Sequence, residues 1–303
     1  MSIYINKAKE NWIVDRFRKE FYSHTKLETS KSIFQSETVW IMAPWTWKKL
    51  SQKQLSKKNV ICTIHHIDFE KFKDEDYLNF KELESYVDRF HTISRISYED
   101  LSKLTKKDIS IIPFWINQNN FYKIDNKEKI KNKFGLPKDK YLIGSFQRDT
   151  EGKDLKSPKL IKGPDIFIEY ILKLKDTIPN LHVVLTGKRR QYVISELKSH
   201  NITYSYFEMA SIKDLNELYN VLNLYIVSSR IEGGPQAILE CAATKTPIIS
   251  NNVGVAKTIL SSESIISKGD VVSAIPNVEH AYEKVQKFML PQGIDSFEKL
   301  FSK

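Results

Sequence analysis

The segment from Leu222 to Val227 is apolar and has the content of a buried strand, and it runs directly into Ser229-Arg230-Ile231-Glu232-Gly233-Gly234-Pro235. After that loop, Ala237, Ile238, Cys241 and Ala242 recur at helical spacing. A strand, a glycine-rich turn and a helix in this order commit the chain to an α/β fold. They also build an anion site, because two glycines let a ligand approach the backbone. Proline is tolerated in the first helical turn, so Pro235 is expected to open the helix, with the Gly233 and Gly234 amides at its positive end. Glu232 in the loop and Glu240 in the helix flank the site, and carboxylates, being acceptors only, suit hydroxyl-rich ligands.

Comparable apolar runs alternate with helical patterns along the whole chain, which implies parallel sheets in both halves. In the first half the expected strands are Ile3 to Ile5, Val39 to Met42, Val60 to Ile64, Phe90 to Ser94 and Ile109 to Pro113. In the second half they are Tyr141 to Phe146, Leu181 to Thr186, Ile202 to Phe207, Leu222 to Val227 and the entry at Lys245 to Ser250. Trp12, Ile13, Phe17 and Phe21 mark an early helix, Ile166 to Leu174 a later one, and Ile294 to Phe301 an amphipathic tail. The run Asn117 to Asp125 interrupts the periodicity and reads as a linker. The expected division is 1–119 and 120–291, with 292–303 returning to the first domain. A length of 303 residues suffices for two such cores.

Two further positions carry chemistry. Val60 to Ile64 delivers His65-His66 at its end, and ligands of open parallel sheets bind beyond the carboxyl ends of strands. Structural hydrogen bonding is the alternative reading of that pair. Arg148 follows the strand at Tyr141, and Lys162-Gly163-Pro164 opens the helix after it. Two cations at the mouth of a sheet could neutralise a diphosphate without a metal. The insert Thr150 to Ile161 between them reads as a flap, with Lys153, Lys156 or Lys159 as substitutes for Lys162. Gly187-Lys188-Arg189-Arg190 is either a further phosphate attractant or solvated charge. Asp74-Glu75-Asp76 has metal-motif spacing, but its charged surroundings make it a solvated acidic run.

The run EGGPQAILE, with glutamates eight positions apart at Glu232 and Glu240, resembles the signature of retaining family 4 glycosyltransferases of the GT-B fold. Thr63-Ile64-His65, Arg148 and Lys162-Gly163 match further family positions. The resemblance implies two Rossmann-like domains with parallel sheets facing across a cleft, and sugar transfer from a nucleoside-diphosphate sugar with retention. It assigns His65 and Glu232 to the catalytic centre, and Arg148, Lys162, Gly233 and Gly234 to the donor diphosphate. Glu240 would hold the ribose and Phe207-Glu208-Met209-Ala210 would meet the base. Neither a metal nor another cofactor is expected. The acceptor would be a cell-surface glycan or lipid-linked saccharide, with His66, Trp45 and Trp47 on its side. A sugar-nucleotide epimerase or phosphorylase of the same fold, and a non-catalytic glycan-binding subunit, are the rival readings. The family's usual glycines are absent at Lys245 and Val255, and the opening glycine-rich loop of its first domain is missing.

Charge bears on partners. The net charge is +10, and residues 1–60 hold 12 Lys and Arg against 5 Asp and Glu. Such a basic end favours an anionic membrane surface or a phosphorylated acceptor, although lysine-rich surfaces also serve solubility alone. No nucleic-acid-reading motif accompanies it, so nucleic acid is not expected. No run approaches the roughly 18 apolar residues of a membrane span, and the start lacks a signal-peptide core, so the expected location is the cytoplasm or the inner membrane face. Cys62 and Cys241 read as reduced core residues.

Overall fold

A computed structural model describes residues 2–10 and 13–302. Trp12, the first member of the early helical pattern, lies outside these residues. The chain divides into two compact units, Met1–Trp115 with Phe288–Lys303, and Ile116–Lys287.

In the first unit six strands form one sheet: β1 (Ser2–Ile5), β2 (Glu28–Thr29), β3 (Thr38–Ile41), β4 (Asn59–Ile64), β5 (Arg89–Thr92) and β6 (Ile109–Ile111). Their spatial order is β2-β1-β3-β4-β5-β6 and every pairing is parallel. Parallel strands must be covered on both faces, which is why β1 and β3 are buried at every position. Trp40 of β3 is fully buried and meets Phe21 from the helix Ile13–His24 and Phe297 and Phe301 from the helix Asp295–Phe301. The tail is thus an integral layer of this unit. The two-residue β2 has no apolar alternation, so nothing in its sequence announces it.

The second unit holds β7 (Tyr141–Ser145), β8 (Leu181–Thr186), β9 (Tyr204–Phe207), β10 (Leu224–Val227) and β11 (Ile248–Ser250), all parallel, in the order β11-β10-β7-β8-β9. A Cβ at Gly144 would come within 2.2 Å of Leu222 Cδ1, so glycine there sets how closely β7 meets the chain entering β10. After β7 the chain builds outward through β8 and β9, then returns to the other side with β10. The crevice between the ends of β7 and β10 is therefore the topological switch point, the place where open α/β sheets take ligands.

The unit boundary falls between Trp115 and Ile116, four residues before the expected one. Asn117 to Asp125 is not a free linker. Tyr122 N donates to Asn216 Oδ1 at 3.0 Å and Ile124 N to Asn220 Oδ1 at 2.7 Å, while the buried Phe121 packs on Tyr219. Asparagine side chains satisfying an irregular backbone tie this segment to the helix Ile212–Val221 of the second unit.

Trp47, expected beside the acceptor, is a core residue: it is only 2% exposed, packs against Tyr86 and belongs to the cluster that includes Leu55 and Val60. The 3-10 turn Pro44–Lys49 points it inward, because apolar burial of an indole outweighs exposing it. Asp74 to Asp76 form the acidic first turn of the helix Asp74–Glu84, where Asp76 Oδ2 accepts from Lys73 N at 3.0 Å. That is helix capping, favoured by the dipole. Among the described residues no three His, Cys, Asp or Glu side chains come together as a cation site, and no helix is long and apolar enough to cross a membrane.

Candidate active site

The site of the second unit starts from Asp149, two residues beyond Gln147 at the end of β7. Asp149 and Arg190 form an ion pair at 2.6 Å with side chains 2% and 0% exposed. The guanidinium also donates to the carbonyls of Ser145 and Thr186, the latter at 2.9 Å, and Asp149 Oδ1 accepts from Thr150 Oγ1 at 2.7 Å. Arg190 is thus neither solvated nor turned toward a ligand, as a run of basic residues had suggested. It is the internal brace that joins the ends of β7 and β8, and Arg148 stands next to its partner Asp149 in sequence.

The insert after Arg148 is a closed excursion anchored at its base. Thr150 pairs antiparallel with Pro158, Glu151 N donates to Ser157 O at 2.9 Å, and Lys159 N donates to Asp149 O at 2.8 Å. Its tip, including Lys153 and Lys156, is exposed, while Lys159 is returned to the half-buried base. The Lys159 amine is held below its ordinary pKa by burial and by the positive charges of Lys162 and Arg148. Three cations therefore share one small region, and each makes the others costlier to hold without a counter-anion.

Lys162 ends the 3-10 turn Leu160–Lys162, and Gly163 follows in the left-handed conformation, φ 58°. A Cβ there would lie 2.0 Å from the Ser228 carbonyl oxygen, so only glycine lets this turn close on the end of β10. The closure brings Lys162 Nζ into an ion pair with Glu232 Oε1, which also accepts from Ser229 Oγ at 3.1 Å. The loop bearing Glu232 is held from several sides. Arg230 makes a bidentate pair with Asp165 at 2.7 and 2.6 Å, and Asn251 Nδ2 donates to the carbonyls of Ser228 and Ser229 at 2.9 and 3.2 Å. Gly254, φ 50°, leaves room for Gly233 and Pro235, since a Cβ there would come within 2.8 Å of Gly233 O.

The helix spans Gln236–Thr244, and Pro235 precedes it as the N-cap rather than opening its first turn. One turn in, Glu240 is 7% exposed and its Oε2 accepts from the Tyr219 hydroxyl at 2.8 Å. Burial and the nearby Glu240 carboxylate raise the Tyr219 phenol well above its ordinary pKa, so it remains a donor. Tyr219 shares helical spacing with core leucines, and nothing in that pattern separates its hydroxyl from its ring.

In the first unit, His65 follows β4 and its Nε2 lies 2.9 Å from Met42 O. A carbonyl only accepts, so Nε2 carries the proton and Nδ1 is left as an acceptor. Burial holds this imidazole at a pKa of about 4, with the Met42 bond opposing and His66 adding to the shift. His66 is exposed, and Trp45 is 52% exposed with its ring centroid 5.6 Å from that of His65. Beneath them Trp40 Nε1 donates to Thr63 Oγ1 at 2.8 Å, Thr63 Oγ1 lies 2.9 Å from His91 Nδ1, and His91 Nε2 lies 2.8 Å from Ile112 O.

That chain of bonds makes a pH prediction. His91 is fully buried, and burial holds its pKa at about 4 against an ordinary 6.5. An unfolded chain takes up this proton as the pH falls through 6.5, the folded one only near 4. Stability is therefore complete above that window and declines as pH falls through it, at up to about 1.4 kcal/mol per unit from His91. His65 adds less, being partly exposed. Urea midpoints of the first unit should drop between pH 7 and pH 5, and His91→Gln should flatten the decline; an equal slope in that variant would contradict the assignment.

The family model for glycosyl transferases group 1 matches residues 126–296, more than half of the chain and the whole of the crevice just described. The chain belongs to this family. It is 23% identical over 246 residues to the putative teichuronic acid biosynthesis glycosyltransferase TuaC of Bacillus subtilis (strain 168), a match covering 78% of this chain and 58% of that protein. The chain therefore spans a little over half the length of that curated relative. Among solved structures, sucrose-phosphate synthase from Thermosynechococcus elongatus superposes with a TM-score of 0.69 at 16% identity, covering 95% of this chain and 77% of the other. Anabaena HepE in complex with UDP and glucose gives 0.70 at 12% identity, covering 100% and 99%. These likenesses establish the GT-B architecture of two Rossmann-like units with parallel sheets. Within the family match lie Arg148, Lys162, Glu232, Gly233, Gly234 and Glu240, all on elements bordering the β7–β10 crevice. Arg190, Tyr219, Asn251 and Gly254 join them as the residues that hold the site in shape.

Proposed function

We propose that this chain is a retaining, metal-independent glycosyltransferase that moves a sugar from a nucleoside-diphosphate donor to a saccharide acceptor. The observation that carries the reading is the gathering of Arg148, Lys159 and Lys162 beside Glu232 at the switch point of the second unit. Three cations gathered with Glu232 and Glu151 suit a diphosphate that gains charge as its bond to the sugar breaks. The Gly233 and Gly234 amides complete that site, and Glu232 orients the sugar hydroxyls. Glu240, held by Tyr219, accepts from the ribose hydroxyls. The first unit contributes uncharged His65 to the catalytic centre in this reading, and His66 and Trp45 to the acceptor side.

In the reaction the acceptor oxygen bonds to the anomeric carbon as the carbon–phosphate-oxygen bond breaks on the same face. The acceptor proton passes to the departing diphosphate. No residue of the site is placed as a covalent nucleophile in this reading, which favours same-face attack over double displacement. The acceptor is a cell-surface glycan, lipid-linked at the inner membrane face, where the basic first sixty residues would meet anionic headgroups. TuaC, described as acting in teichuronic acid biosynthesis, is the relative that supports this acceptor class.

The test is product formation. The purified chain is given UDP-hexoses with lipid-linked saccharides in the presence of EDTA, and the new linkage is read by NMR. Transfer with the donor's anomeric configuration supports the proposal. Release of nucleotide with no transfer favours the epimerase, and inverted configuration contradicts retention.

A further inference from the structure

The sheet of the first unit has a switch point of its own. From β1 the chain goes to β2 on one side and then to β3 on the other, so the crevice lies between the ends of β1 and β3. Those ends are stitched together by Asn6, which is buried. Its Nδ2 donates to Ala43 O at 2.8 Å and to Thr46 Oγ1 at 2.9 Å, and its Oδ1 accepts from Ala43 N at 3.0 Å. The stitch fixes the turn Pro44–Lys49 to the end of β1, and with it Trp45.

Trp45 is unlike Trp40, Trp47 and Trp115, each of which is 2% exposed or less. Its ring is half open to solvent, yet its orientation is set at both ends. Nε1 donates to Glu10 Oε1 at 2.9 Å, on the chain that follows β1, and the ring leans on His65 at 51° between planes. An indole held this way shows a fixed apolar, electron-rich face beside an exposed carboxylate. A pyranose has the matching surfaces, a face of polarised C–H bonds that rests on an aromatic ring and a rim of hydroxyls that donate to a carboxylate. A carboxylate at the rim disfavours phosphates and uronic acids by like-charge repulsion.

We infer that Glu10 and Trp45 form a binding subsite for a neutral pyranose ring, with the indole as its floor and Glu10 both clamping the indole and accepting a sugar hydroxyl. The inference rests on the transferase reading insofar as it makes this ring part of the acceptor. Glu10 is thereby a specificity-determining residue.

Saturation-transfer NMR on the full chain with methyl glucopyranoside, methyl N-acetylglucosaminide and methyl glucuronide tests it. The two neutral probes should receive saturation on their ring protons, the glucuronide several-fold less. Trp45→Ala should reduce the neutral signals at least fivefold and Trp45→Phe should keep most of them. Glu10→Gln, whose amide oxygen still accepts from the indole, should narrow the gap between glucuronide and glucoside. Equal signals in Trp45→Ala, or no signal from either neutral probe, would overturn the subsite. Stabilisation by UDP, GDP, ADP and CDP is measured on the same samples. Binding of one of these diphosphates with a sugar signal indifferent to Trp45 sinks the subsite and leaves the transferase reading standing. A Trp45-dependent signal with no response to any nucleoside diphosphate keeps the subsite and removes the transferase reading.

Discussion

Replacing Arg148 with alanine is expected to lower kcat by about a hundred- to a thousandfold, roughly 3–4 kcal/mol of transition-state stabilisation. In the proposed reaction the guanidinium meets the departing diphosphate, and it is positioned before the reaction starts, since its Nε donates to Thr150 O at 2.9 Å. Its contribution grows as the bond to the sugar breaks, so the loss should fall on kcat far more than on KM. Arg148→Lys should recover part of the rate, because charge returns but the planar fork does not. Lys162→Ala is a less clean experiment, since it also removes the ion-pair partner of Glu232. Steady-state kinetics of the two Arg148 variants decide the point. A rise in KM with kcat unchanged would mean that Arg148 only binds donor.

The second large effect is on stability. Arg190→Ala should destabilise the second unit by about 3–5 kcal/mol, because it leaves Asp149 charged, buried and without its partner. The same change strips a donor from the carbonyls of Ser145 and Thr186. Exchanging both members, Asp149→Leu with Arg190→Met, should restore a good part of the loss, since an apolar pair in the same space avoids the desolvation of two charges. Urea unfolding of the single and double variants gives the comparison. A loss below about 1 kcal/mol in Arg190→Ala would mean the brace is dispensable.

The sequence exposes the scaffold because apolar periodicity follows directly from burial. Parallel strands covered on both faces, such as β4 and β8, must be apolar runs, and such runs are visible at once. Gly163 is visible for a similar reason, as its close backbone approach to Ser228 admits little else. What a one-dimensional reading misses is the partner of a polar side chain. Arg190 resembles its neighbours Lys188 and Arg189, and only the fold shows that Asp149 waits for it forty-one positions away. Trp45 and Trp47 are two positions apart in a lysine-rich stretch, yet the 3-10 turn sends one to solvent and the other to the core. The pattern gives no sign that Asn216 and Asn220 hold the irregular backbone at Tyr122 and Ile124.

In the proposed reaction the β7–β10 crevice takes a nucleoside diphosphate without a metal. The measurement that tests it most directly is thermal stabilisation of the chain by UDP, GDP, ADP and CDP in EDTA, repeated with Glu240→Ala. One diphosphate at about 100 times its dissociation constant should add roughly 2.7 kcal/mol, and Glu240→Ala should abolish most of that gain. No stabilisation of the folded protein by any of them, or an undiminished gain in Glu240→Ala, would contradict the account.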